Sequence, residues 1–375
     1  DFISGRMRFV GAGMEGRIEN AGSIKTADGG HVYLIASNVD NKASGVINAP
    51  GGEVIIVAGK SVELVNSQTP GIRVEFTAPQ NEAVNAGQVV AAGGRIGIYG
   101  TLIKNSGLVS ASSASVGEGG KIVFKAVKDV TLDTTSRIEA NGTKGGSITV
   151  QAETGTLLAS GVIEAKGSED RGGDVKLLGR QVGLADVSVD VSGRRGGGTV
   201  LVGGDYQGSN AAVQNAQKTF VAATAVIRAD AKEKGDGGKV IVWADDWTKF
   251  HGEISAKGGA EGGDGGFAEI SGKNSLVYKG KVDLTAPVGR VGTLLFDPLN
   301  IQIVGGTADG SDTEAGNSGT VLQQAAGNAG EILFLDAGAE PFIVRESEIE
   351  AQSTTTNIVL MARNSVNVVG AAGTF

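Results

Sequence analysis

One pattern dominates the sequence: a Gly-Gly pair, a spacer residue, then two apolar residues separated by one other. Gly30 is followed by Val32 and Leu34, Gly52 by Val54 and Ile56, Gly94 by Ile96 and Ile98, and Gly120 by Ile122 and Phe124. Gly146, Gly173, Gly198, Gly238 and Gly266 open the same motif, and Gly292, preceded by Val291, opens it with a single glycine, giving ten starts. The intervals are 22, 42, 26, 26, 27, 25, 40, 28 and 26 residues. A second column precedes each pair, as in Ile24/Thr26, Ile47/Ala49, Val109/Ala111, Ile138/Ala140, Ile163/Ala165 and Ile254/Ala256. A weaker third lies between them: Val62/Leu64, Val130/Leu132, Val182/Leu184. Period-2 alternation means strands with one buried face. No single repeat can bury that face alone, so the repeats must stack.

Three short strands per repeat of about 22–28 residues, joined by glycine-rich corners, describe one coil of an all-β parallel β-helix. Nine intervals at the ~4.8 Å strand spacing give a rod of roughly 43 Å. Glycine makes up 62 of the 375 residues, about 17% against a usual ~7%. Corners that need φ > 0 explain this excess. The lumen is Val, Ile, Leu and Ala, since aromatics are only 5% of the chain.

The intervals of 42 and 40 each exceed one coil, which predicts two extra-helical insertions, near 66–85 and 203–224. The first, with the alternation Ile72, Val74, Phe76, reads as a hairpin outside the helix. The second reads as a short helix or ordered loop. The predicted layout is a β-helix over 1–301, a Gly/Asp-rich link over 302–319, and irregular β-structure with further coils over 320–375.

Composition excludes several functions. Net charge is −8, which argues against nucleic acid as a partner. Cysteine is absent, so there is no disulfide framework and no thiol catalysis. No apolar run reaches the ~20 residues of a membrane-spanning helix. Gly11–Gly16 matches the dinucleotide fingerprint, but a strand-like segment follows it where the fingerprint needs a helix. Gly262–Phe267 is one imperfect copy of a calcium-binding turn and reads better as a corner. Asn141-Gly142-Thr143 is an isolated sequon at a predicted corner.

The expected catalytic, cofactor and metal residues are therefore none. Outward acids such as Glu139, Asp174 and Asp283 interleave with Lys and Arg, as a solvated face requires. One polar-aromatic cluster stands out: Trp243, Asp245, Asp246, Trp247 and His251, with Tyr206 in the second insertion. It is the candidate surface for a ligand or partner. A wide corner with tryptophan packed over it would read the same way.

The stretches Phe9–Leu34, "GVINAPGGEVIIVAG" (Gly45–Gly59), Gly203–Gly208, Gly237–Lys273 and Ala286–Ile301 resemble the filamentous haemagglutinin-like exoproteins of bacterial two-partner secretion. The resemblance covers roughly residues 1–301. The family's Asn-Pro-Asn secretion motif is not in the chain, and its expected place is upstream of Asp1. The resemblance implies a right-handed β-helix and export through an outer-membrane β-barrel transporter of a Gram-negative cell. It further implies a secreted or cell-surface stalk of an adhesin, with a host, surface or glycan receptor, or other copies of itself, as partner. A self-assembling filament and a polysaccharide-active enzyme are the alternative readings.

Overall fold

A computed structural model describes residues 6–10, 16–59, 61–65, 71–75, 81–113, 119–304, 342–345 and 356–369. For 6–10, 61–65, 71–75, 302–304, 342–345 and 368–369 it describes the backbone alone. The dinucleotide-like stretch lies outside these residues up to Glu15, as does the predicted link from 305 onward. The chain is an all-β parallel β-helix. No helix among the described residues is long and apolar enough to cross a membrane.

The first strand of each coil stacks in the register that the repeats predict. Val32 pairs with Val54, Val54 with Ile96, Ile96 with Ile122, Ile122 with Ile148, and Ile148 with Val175. The column continues through Val200, Val240, Ala268 and Leu294 to Ile358. Every pairing is parallel, and the side chains from Val32 to Leu294 are buried in one lumen. The strand before each Gly-Gly pair makes a second unbroken column, from Ile24 and Ile47 through Val89 and Val109 to Ile254 and Val282.

The remaining column begins with polar residues. Asn20 donates its side-chain amide to Asn41 Oδ1 at 2.8 Å, and Asn41 to Asn85 Oδ1 at 2.8 Å. Asn85 then donates to Asn105 Oδ1 at 2.8 Å, and Asn105 to Ser136 Oγ at 2.7 Å. Each buried amide thus has its partner one coil along. In the next coil the ladder position opposite Asn105 is Leu132, and the column turns apolar.

The corner glycines have two causes: Gly29, Gly51 and Gly93, each the first of its pair, hold the positive φ expected of a corner, at +74°, +61° and +68°. A Cβ on Gly146 would lie 2.2 Å from Gly120 O, and one on Gly173 would lie 2.0 Å from Gly146 O. Close approach of successive coils, not a positive φ, requires the second glycine of each pair.

Both long intervals leave the helix after a first-column strand. After Glu53–Ala58 the chain forms an antiparallel pair, Ser61–Val65 with Gly71–Glu75, and Arg6–Val10 joins the pair's other edge. Val62 and Leu64, which alternation places in the third column, therefore belong to this small sheet. Glu82–Asn85 is back in the ladder between Asn38–Asn41 and Leu102–Asn105, so the excursion ends earlier than 85. Likewise Lys218–Val221 lies in the ladder, and the second excursion covers 203–217. Both late boundaries have one cause: a ladder strand of only four residues is too short to read from alternation.

Towards the C-terminus, Asn357–Leu360 adds to the first column on Thr293–Phe296. Asn300–Val304 is flanked by Phe342–Arg345 on one side and Ser365–Val369 on the other, all parallel.

Candidate functional site

The second excursion is a closed loop. Ala216 N–H donates to Gly203 O at 2.6 Å, so its two ends meet at one corner. Gly203 itself is left-handed, with φ +70°. Asp205 caps a single 3-10 turn, Tyr206–Gly208, by accepting from the Tyr206 amide at 2.7 Å. Its carboxylate also takes Asn210 Nδ2 at 2.8 Å and pairs with Lys239 Nζ at 3.1 Å. Burial works against ionisation of Asp205, but these three donors outweigh it and hold the carboxyl below its usual range.

The loop lies over the outward side of the first column. There Leu178, Leu201, Ile241 and Trp243 form a second apolar cluster, and Val213 of the loop is buried in it. Three polar contacts pin the loop to separate coils. Gln214 accepts from Gln151 Nε2 at 2.8 Å and donates to Glu153 O at 2.9 Å. Asn215 donates to Asp245 Oδ1 at 3.2 Å. The Gln207 amide donates to both oxygens of Glu269, at 3.2 and 3.1 Å. The loop therefore braces the coils from Ser147 to Glu269.

Glu269 occupies an outward position whose column neighbours are Ile241 and Leu295. Its side chain is fully buried. Burial pushes its carboxyl up to about 7, assisted by the nearby Asp297, whose own carboxyl is also raised by burial. Lys239 and the Gln207 amide pull Glu269 the other way. Arg363 lies 3.8 Å from Asp297. Gln207 meets this acid pair in a left-handed backbone conformation, φ 53°.

The predicted cluster divides between two faces. Trp243 is 1% exposed beneath the loop, and its Nε1 donates to Asp245 Oδ1 at 3.1 Å. Trp247 is 1% exposed on the next face, packed with Phe220 and Ala222. The ammonium groups of Lys218 and Lys249 lie 5.3 and 4.8 Å from its ring. Asp245 and Asp246 form the corner between the two faces, bonded through their amides to Ala216 O and Gln217 O. His251 lies against Phe220, ring centroids 5.9 Å apart. Both indoles are thus packing groups that present no face to solvent.

Tyr206 is the exposed member, at 40%. Its ring stands 5.9 Å from that of Phe267, with Lys239 Nζ 5.8 Å from its centroid. Sequence reasoning missed Lys239, Phe267 and Glu269 as members of the site. One signal was available for Glu269: it is an acid in an outward column where Leu201 and Ile241 precede it and Leu295 follows. The Asn141 sequon is engaged within the helix, with Nδ2 on Glu164 Oε2 at 3.1 Å and Oδ1 accepting from the Lys166 amide.

Fold and site together define a parallel β-helical scaffold whose one fully described insertion is fastened flat to its flank. The chain is similar to the crystal structure of the HMW1 secretion domain from Haemophilus influenzae, at 30% identity and a TM-score of 0.53. The likeness covers 74% of this chain and 66% of that one, a little under two thirds of the solved domain. No protein-family model matches the sequence, and no curated sequence does either.

Proposed function

We propose that this chain is part of the non-enzymatic β-helical stalk of an exported, adhesin-type exoprotein of two-partner secretion. In this reading it leaves a Gram-negative cell through an outer-membrane β-barrel transporter and stands at the cell surface or beyond it. The likeness to a secretion domain carries the proposal. The architecture supports it, because coils can add one at a time to those already folded outside, each pairing only with its neighbours. Outward carboxylates answer cations between coils, as in Lys104–Glu82 at 2.8 Å and Lys125–Glu153 at 2.7 Å, which is the behaviour of a solvated shaft.

The test uses antibodies raised against the purified chain. They should label intact cells of the parent strain, and deleting the transporter gene should abolish that labelling. Labelling only after permeabilisation, or labelling indifferent to the transporter, overturns the proposal.

A further inference from the structure

The Gly-Gly corners stack into a groove that runs along the helix axis. Its floor is bare backbone from Gly93 and Gly94 through Gly172 and Gly173 to Gly265, Gly266 and Gly292. The C-terminal part alone encloses about 790 Å³, and Arg171 stands where the two parts meet. Close coil packing explains why the floor is glycine. It does not explain the charge of the rim.

The rim carries seven Lys and Arg side chains against three carboxylates, on a protein whose net charge is −8. Arg95 pairs with Glu53, Lys239 with Asp205 and Arg290 with Asp264. Arg171 and Arg195 differ. The Arg195 amide donates to Asp170 O at 3.3 Å, which sets the two arginines side by side on successive coils. Both are exposed, and neither has an ion-pair partner among the described residues. Neighbouring guanidinium groups without a counter-charge favour an anion, and arginine's fork suits a carboxylate.

An aromatic edge lies farther along the same groove. Phe267 lines it, and Tyr206 of the braced loop rises over Phe267. An exposed ring beside cations offers an apolar platform to the C–H face of a sugar. The carboxylates Asp174, Asp236 and Asp264 can accept bonds from hydroxyl groups, which every residue of a sugar chain presents. One coil rises by ~4.8 Å, close to the length of one sugar residue in an extended chain.

We propose that this groove binds a linear acidic polysaccharide of the polyuronate class. Carboxylates of the chain meet Arg171 and Arg195, and one ring stacks on Tyr206. The inference deepens the reading of the chain as a surface stalk and rests on it for biological access to such a polymer. Binding itself is measured on the purified protein, so failure of either idea is visible without the other.

The probes are hexamers of galacturonate and of mannuronate, titrated calorimetrically at low and moderate salt. A neutral glucose hexamer and a single-stranded DNA of equal charge serve as comparisons. At least one uronate hexamer should bind, while the neutral sugar and the DNA bind at least about tenfold more weakly. Tyr206→Ala and the double variant Arg171→Ala/Arg195→Ala should each weaken uronate binding about tenfold, with the melting temperature unchanged. No binding of either hexamer overturns the proposal. So does DNA binding as tight as uronate binding, or uronate binding indifferent to Tyr206→Ala, since both would mean charge attraction without a site.

Discussion

Gly208 lies flat on the indole of Trp243: a Cβ built on the glycine would stand 2.6 Å from the ring. The glycine also holds φ +60°. A repeat-breaking loop and a repeat-bearing strand are thus fitted to each other at one contact, and the loop's fit can be altered from either side.

Gly208→Ala meets both the ring and a disfavoured φ, and it should destabilise the loop by at least about 1 kcal/mol. Hydrogen exchange over 204–216 should quicken while the amides of Asp174–Asp190 stay protected. Trp243→Ala removes the ring itself and should cost about 3–5 kcal/mol, read as a lower denaturant midpoint.

Asn85→Leu keeps the branched skeleton of the side chain, though it is bulkier, and strands the donor of Asn41 and the acceptor of Asn105. Both are buried, so the substitution should cost about 2 kcal/mol or more despite added apolar surface. Urea unfolding measures it. An unchanged midpoint would show that the amide ladder contributes no net stability.

Glu269 makes stability fall as pH rises. Its folded carboxyl titrates near 7, above the ~4.3 of an unfolded glutamate. The folded state therefore binds the proton more tightly. Its contribution is complete below the unfolded value and is lost as pH climbs through about 7. The swing is of the order of 3 kcal/mol. Glu269→Gln should flatten the profile between pH 5 and 8, measured by thermal melts across that range. Asp205 acts oppositely at lower pH, because its depressed carboxyl loses its contribution as pH falls below the usual aspartate range.

Ile148→Asp places a charge between Ile122 and Val175, in the closed lumen. No partner is in reach, so the variant should not yield a soluble native rod. A folded, monomeric product with the parent circular dichroism would contradict the inward assignment.

Replacing 204–215 by a short Gly-Ser link spares the ladder strand Lys218–Val221 and should keep the coils in register. It uncovers Leu178, Leu201, Ile241 and Trp243. The expected result is a folded rod that binds a hydrophobic dye and self-associates.

The lumen was legible because its signal repeats: Val32, Val54 and their successors as far as Ala268 each stand two residues after a Gly-Gly pair, and each found its partner. The insertions were visible as surplus length, but the return strands Glu82–Asn85 and Lys218–Val221 were not. They are short, and Asn85 and Thr219 are polar where the template wants an aliphatic residue. The asparagine ladder escaped for the same reason, since single asparagines spaced by whole coils look like surface residues. Trp243 and Trp247 were read as part of a candidate ligand surface, yet both are buried, and their surroundings come from the loop and the adjoining face, which no local window contains.

Interchangeable coils carry a hazard of their own. Val32, Val54, Ile96 and Ile122 are near-equivalent, so a coil that skipped one neighbour would still find a greasy, well-shaped seat. The asparagine run ends at the coil before Leu132, so a slip across that end would not survive: a displaced amide such as that of Asn85 would face an aliphatic side chain. The Gln214, Asn215 and Gln207 contacts impose the same demand farther along, each matching one coil and no other. These non-repeating features act as address labels on an otherwise anonymous stack, and they give an assembling rod a way to count its turns.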